Sequence, residues 1–164
     1  MALLENPFEK VRPKMVAARL ELMSQLAKFG PEELRTAPQQ GDWSALEIAH
    51  HVYIADGLAL EQMRRVQEEE NPLLDQPGEE APRRTRESEP PVSLDAVLGG
   101  MAARREELFE YLNSLPPAAW ERPFRTPEWG QLKFYQLVNI LPEHDRRHAR
   151  QLADLKAAIA PAQP

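Results

Sequence analysis

The chain has 164 residues, 42% of them hydrophobic and 28% charged, the balance of an ordinary globular protein. It has no cysteine, which excludes disulfides, thiolate metal sites, iron–sulfur clusters and cysteine nucleophiles, so any metal must be held by nitrogen and oxygen. A net charge of −6 argues against nucleic acid as a partner, because phosphate binding needs clustered lysine and arginine.

The N-terminus, from Met1 to Pro7, lacks the basic flank and long apolar core of a secretory signal. No apolar run approaches the roughly 18 residues of a membrane-spanning helix. No membrane partner is expected, and the cytoplasm is the default location.

Sixteen prolines punctuate the rest of the chain. Proline is tolerated in a first helical turn and excluded from helix interiors, so proline-free windows predict helices and proline clusters predict connections. The first window lies between Pro13 and Pro31, with Val11, Met15, Leu22, Leu26 and Phe29 at helical spacing. The second predicts a helix from residue 45 to about residue 70, opened by the capping-box pattern Ser44-Ala45-Leu46-Glu47 with Trp43 as a staple residue. Residues 71–92, rich in proline, glutamate and arginine, predict a mobile loop. Its basic run from Arg83 to Arg86 is flanked by Glu79, Glu80, Glu87 and Glu89, the pattern of a solvated surface.

Ser93 can cap the third helix, which carries Leu94, Val97, Met101, Leu108, Leu112 and Leu115 on one stripe. The stretch from Pro116 to Gln131 holds Trp120, Phe124 and Trp129 and predicts a packed covering loop, with a short extended piece near residues 130–134. The last window, between Pro127 and Pro161, is interrupted by Pro142 and carries the stripe Leu137, Leu141, His144, His148, Leu152 and Leu155. There is no internal repeat. Residues 1–164 are therefore expected to form one all-α domain, an up-and-down four-helix bundle with a packed loop before the last helix. Sites in such bundles are built from side chains on facing helices.

The chain has four histidines. His144 and His148, spaced i, i+4, lie one turn apart on the apolar face of the last helix, so both imidazoles can reach one ion. A buried imidazole left without partners costs about 1–3 kcal/mol. The pair therefore either binds a metal or joins a structural network with carboxylates such as Glu47 or Glu143. Pro142, two residues earlier, frees a backbone carbonyl and bends the helix, an irregularity found at functional sites but equally explained as a tolerated kink. A third imidazole can come from the second helix. His51 aligns with Ile48, Ala55 and Leu58, and His50 with Leu46, Tyr53 and Ile54. Both faces are apolar, so periodicity leaves the choice open. Three imidazoles would leave coordination positions for water or substrate, the catalytic kind of metal site.

The run from Trp43 through Ser44, Glu47 and Ile48 to His51 resembles the motif that opens the second helix in the DinB/YfiT-like family, whose members are regarded as metalloenzymes. In that family a Trp-Ser pair is followed by Glu-Ile or Glu-Val and by a ligand histidine eight residues after the tryptophan, which is His51 here. His144-Asp145-Arg146-Arg147-His148 is similar to the His-x-x-x-His pair of the family's last helix. Pro127-Glu128-Trp129-Gly130 resembles the approach to that helix, although Lys133 stands where the family often has a serine or threonine cap. The resemblance spans essentially the whole chain in order and length, and its specific part is the two histidine motifs.

The resemblance implies an up-and-down bundle, often a homodimer, with a divalent ion on His51, His144 and His148 and water completing the shell. Zinc or nickel is the first expectation for that ion, iron or manganese the second. Characterised relatives implied by it include thiol-dependent transferases and isomerases. The expected function is accordingly a metal-dependent enzyme that transfers a low-molecular-weight thiol to a small electrophile. Metal-assisted hydrolysis is the alternative, and a non-catalytic stress-related binding or dimerisation bundle is the rival from another class. No catalytic residue stands out beyond the three ligands. Glu47 and Asp145 are candidates to orient imidazoles from behind, Glu47 being better explained by capping. Arg146 and Arg147 could meet a substrate carboxylate, but read more simply as solvated. Apolar residues on several sides of the second helix, among them Ile48, Val52, Ile54, Leu58 and Leu60, support the homodimer unless covering loops hide them.

Overall fold

The computed structural model describes residues 6–75 and 77–159. Five α-helices dominate it: α1 (Pro7–Leu26), α2 (Ala45–Glu68), α3 (Pro77–Glu87), α4 (Leu94–Ser114) and α5 (Phe134–Ile159). A short antiparallel hairpin, β1 (Pro123–Thr126) and β2 (Gly130–Lys133), precedes α5. The long helices α1, α2, α4 and α5 form a four-helix bundle in which α1 lies along α5, α2 along α4, and α5 also meets α2. Among the described residues no helix is long and apolar enough to cross a membrane.

The bundle helices begin where the sequence supplies a capping interaction. In α2 the capping box is complete: the Glu47 amide donates to Ser44 Oγ at 3.2 Å and the Ser44 amide donates to Glu47 Oε1 at 3.1 Å. Ser93 Oγ accepts the Ala96 amide at 3.2 Å to start α4. At α5 the cap position is Lys133, whose amide donates to Gln136 Oε1 at 2.9 Å, the glutamine half of a capping box without the hydroxyl half.

Three connections differ from expectation. First, α1 starts at Pro7, not after Pro13, because Asn6 accepts the Phe8 amide at 3.1 Å and caps it; Pro13 is carried inside the helix. Second, the predicted loop at 71–92 contains α3. That helix is held by Arg83 and Arg84 paired with Glu80, Arg83 with Glu87, and Arg84 with Glu61 of α2, while Ala81 and Thr85 are buried beneath it. Third, the covering segment before α5 buries Trp120 and Phe124 but leaves Trp129 55% exposed. The apolar width of α2 is covered within the chain: Leu58 and Leu60 are buried, with α3 and α4 packed on that helix. That width therefore does not argue for a second copy.

The core is in two parts. One apolar cluster gathers Met15, Met63, Leu108, Phe124, Phe134 and Val138; the other gathers Leu22, Ile48, Val52, Met101, Ala149 and Leu152. Along every bundle helix the chain passes from one cluster to the other through a polar position. These are Arg19 on α1, Asp56 on α2, Arg105 on α4 and the His144-Asp145-His148 segment on α5. Polar groups in such a layer must satisfy one another or a ligand.

Candidate metal centre

In one half of the layer the charges pair with one another. Arg19 Nη2 donates to Asp56 Oδ2 at 2.9 Å and Arg19 Nε to Asp145 Oδ2 at 3.0 Å, while Arg105 Nη2 donates to Asp56 Oδ1 at 3.0 Å. The four charges cancel, and one comes from each bundle helix. Asp56 and Asp145 are 4% and 1% exposed, so this is a buried ion quartet whose carboxylates hold the Arg19 guanidinium above its ordinary pKa against the cost of burial. Arg105 keeps Nε and Nη1 buried without a partner.

The other half is the histidine cluster. His51 of α2 and His144 and His148 of α5 come together with ring centroids 4.4–5.6 Å apart, their ligand nitrogens all within 4.8 Å of one another. The outer hydrogen bonds of His51 and His148 identify their tautomers. Thr85 Oγ1 donates to the Ala81 carbonyl at 2.7 Å, so at 3.1 Å it accepts from His51 Nδ1–H. His148 Nδ1–H donates to Gln151 Oε1 at 2.7 Å. Each bond leaves Nε2 with a bare lone pair. His148 Nε2 and His144 Nε2 face one another at 3.1 Å. Donors about 2.0–2.1 Å from a tetrahedral ion stand roughly 3.3 Å apart, close to that separation.

The electrostatics favour neutral ligands. Burial first, then the charge of neighbouring groups, pushes the His51 pKa down to about 4 and that of His144 down to about 2. Burial lowers His148 as well, partly opposed by Gln151. Arg147 contributes to the depression of all three, so a positive potential lies over the cluster. Neutral imidazoles with converging lone pairs are what a divalent ion requires, and the donor set fits one.

Of the sequence candidates, His51, His144 and His148 are brought together and His50 is not. His50 points to α3, its Nε2 2.9 Å from Ser88 Oγ. Glu47 is exposed and occupied by capping. Asp145 does not orient an imidazole through a hydrogen bond, as had been expected; it serves the ion quartet, and the group behind His51 is Thr85. Trp43 is no mere staple: its ring packs against His51 with centroids 5.0 Å apart. Arg146 pairs with Glu143, whereas Arg147 lines a cavity of about 1060 Å³ beside the histidines.

Arg19, Asp56, Arg105 and Thr85 went unseen in the sequence. For three of them a signal existed. The stripe Val97, Met101, Leu108, Leu112 lacks its middle member, and Arg105 stands there; Asp56 and Arg19 likewise stand between Val52 and Ala59 and between Met15 and Leu22. Thr85 gave none, since its segment was not read as a helix.

The similarities to known proteins agree with this arrangement. The protein "Uncharacterized protein YuaE" of Bacillus subtilis (strain 168) is 26% identical over 154 residues, covering 87% of this chain and 94% of that protein. A protein of Bacillus mycoides (strain KBAB4) named "Putative metal-dependent hydrolase" is 24% identical over 155 residues, covering 92% and 88%. Among solved structures, YfiT from Bacillus subtilis, described as a probable metal-dependent hydrolase with an unusual four-helix bundle topology, superposes with a TM-score of 0.74 at 15% identity. That match covers 95% of this chain and 89% of YfiT. The four-helix bundle protein TT2238 superposes with a TM-score of 0.64 at 20% identity, covering 90% and 98%. The model of the DinB superfamily matches residues 14–152, both histidine motifs included, and the chain belongs to that superfamily.

Proposed function

We propose that the chain is a divalent-metal-dependent enzyme whose ion, zinc or nickel in first place, is held by His51, His144 and His148. The observation that carries this is the pair of outer hydrogen bonds, from His51 to Thr85 and from His148 to Gln151, which leave Nε2 lone pairs turned toward His144. A bound ion supplies Lewis acidity, bringing the pKa of a coordinated nucleophile toward neutrality. The protein supplies the rest. Trp43 shields one face of His51, the ion quartet fixes the four helices around the site, and the adjoining cavity admits a small molecule.

Hydrolysis is supported by the names of the relatives. Transfer of a low-molecular-weight thiol is supported by the cavity, whose roughly 1060 Å³ lies at the upper end of single-ligand pockets and leaves room for two small reactants. Elemental analysis of the purified protein tests the metal, and a screen of activated esters against small thiols with electrophilic acceptors separates the two reactions. One equivalent of divalent metal with chelator-sensitive turnover is expected. Absence of bound metal after incubation with zinc or nickel would contradict the proposal.

A further inference from the structure

The cavity beside the histidines has a chemical character of its own. Leu58, Leu74, Phe124, Leu137, Ile140 and Leu141 give its lining a large apolar share beside the imidazoles. Trp129 and Tyr135 also line it, yet are 55% and 40% exposed, so two large aromatic surfaces stand toward solvent. A lining of this kind contributes affinity through buried apolar area, roughly 25 cal/mol per Å² removed from water, and rejects small polar solutes.

The charges on its lining are unequal. Asp56 is spent on Arg19 and Arg105, and Glu143 on Arg146. Arg147 and Arg150, both exposed and on the same helix as two of the histidines, make no ion pair or hydrogen bond among the described residues. Glu128 is the remaining acid of the lining without an ion pair. Arg147 lies next to His148 in sequence and one turn from His144, and its charge is felt by all three imidazoles. A guanidinium without a partner at the edge of a cavity is a ready donor for a carboxylate or phosphate, which it can hold by two parallel bonds.

We infer that the cavity takes a small amphipathic anion, with its apolar body against the Leu58–Phe124–Ile140 lining and its anionic group held by Arg147 beside the histidines. This rests on the metal-site proposal for where the reacting atom lies, but not for the binding itself. The anion's bonds to Arg147 and the burial of its body act together, so neither a short carboxylate nor a neutral chain of equal length should bind well.

The test is calorimetric titration of zinc-loaded and zinc-free protein with octanoate, octanol and acetate, with zinc content measured on the same samples. Octanoate is expected to bind at least about tenfold more tightly than either control, and Arg147→Ala to weaken it about tenfold while octanol is unaffected. Arg147→Lys should retain part of the difference, because a point charge remains without the fork. Equal binding of octanol and octanoate, or octanoate affinity unchanged in Arg147→Ala, would overturn the inference. If octanoate binding vanishes with zinc removal yet survives Arg147→Ala, the ion reads the carboxylate; the Arg147 assignment then falls while the metal site stands. If zinc does not bind, the metal proposal falls, and the zinc-free titrations of parent and Arg147→Ala still decide this one.

Discussion

The polar layer of the bundle holds two clusters built on opposite principles. The ion quartet carries four formal charges that cancel across four helices. In the histidine cluster burial disfavours charge, the outer nitrogens of His51 and His148 are tied to Thr85 and Gln151, and His148 Nε2 faces His144 Nε2 at 3.1 Å. In the first the charges balance and the carboxylate oxygens are all met, although Arg105 Nε and Nη1 find no partner. The second gathers three imidazoles from two helices within reach of one another. The proposed division of the layer, with the quartet structural and the histidines a metal site, rests on that difference in bonding.

The comparison predicts opposite responses to substitution. Asp145→Ala leaves Arg19 and Arg105 short of a counter-charge in a buried layer, and breaking such a pair costs about 3–5 kcal/mol. At about 2–4 °C per kcal/mol for a chain of this size, the melting temperature should fall by on the order of 10 °C in thermal unfolding. A fall of only a degree or two would mean that water reaches the quartet and that it is not structural.

His148→Ala should do the reverse. Metal affinity measured by competition with a chromophoric chelator should drop at least about 100-fold, since loss of even an outer-shell partner costs 10–100-fold. The metal-free variant should melt within a few degrees of the parent, because the quartet is intact. Unchanged metal binding with a large loss of stability would place the histidines in the structural class.

A pH series sharpens the contrast. His51 is held at about 4 against an ordinary value near 6.5, so between these values the unfolded chain binds more protons than the folded one. Stability of metal-free protein is then fully present above pH 6.5 and is lost as pH falls toward 4. His51 alone contributes about 2 kcal/mol of that loss at pH 5. Denaturant unfolding at pH 7 and pH 5 reads it directly, and a flat profile would mean that the cluster is well hydrated. The smallest effect is expected from Thr85→Val, which removes the acceptor behind His51 and should weaken metal binding about tenfold with the fold retained. The same chelator competition checks it.

The bundle and the His144–His148 pair were legible because both depend on short-range spacing, helical periodicity marking α2, α4 and α5. Periodicity left His50 and His51 open, and only the resemblance to the family's motif after Trp43 pointed to His51. What was hidden depends on contacts between distant segments. Helix α3 has little apolar pattern, with two prolines and charges at six of its eleven positions, and forms because Arg84 reaches Glu61 and Thr85 reaches His51 across to α2. The quartet is visible only once four helices are aligned, although each member interrupts an apolar stripe at a place where a hydrophobic residue was due. Asp145 misled for the same reason: its neighbour in sequence is His144, but its partners are Arg19 and Arg105.

The central claim is that three particular histidines, and not merely a histidine-rich end of the bundle, hold one ion. Zinc stoichiometry of His50→Ala and His51→Ala, measured side by side after dialysis, tests it most directly. Both variants lose an imidazole from the same turn of α2, but only His51 faces His144 and His148. One zinc per chain retained in His50→Ala and none in His51→Ala is the predicted result. Zinc retained by His51→Ala, or lost from His50→Ala, would contradict the account.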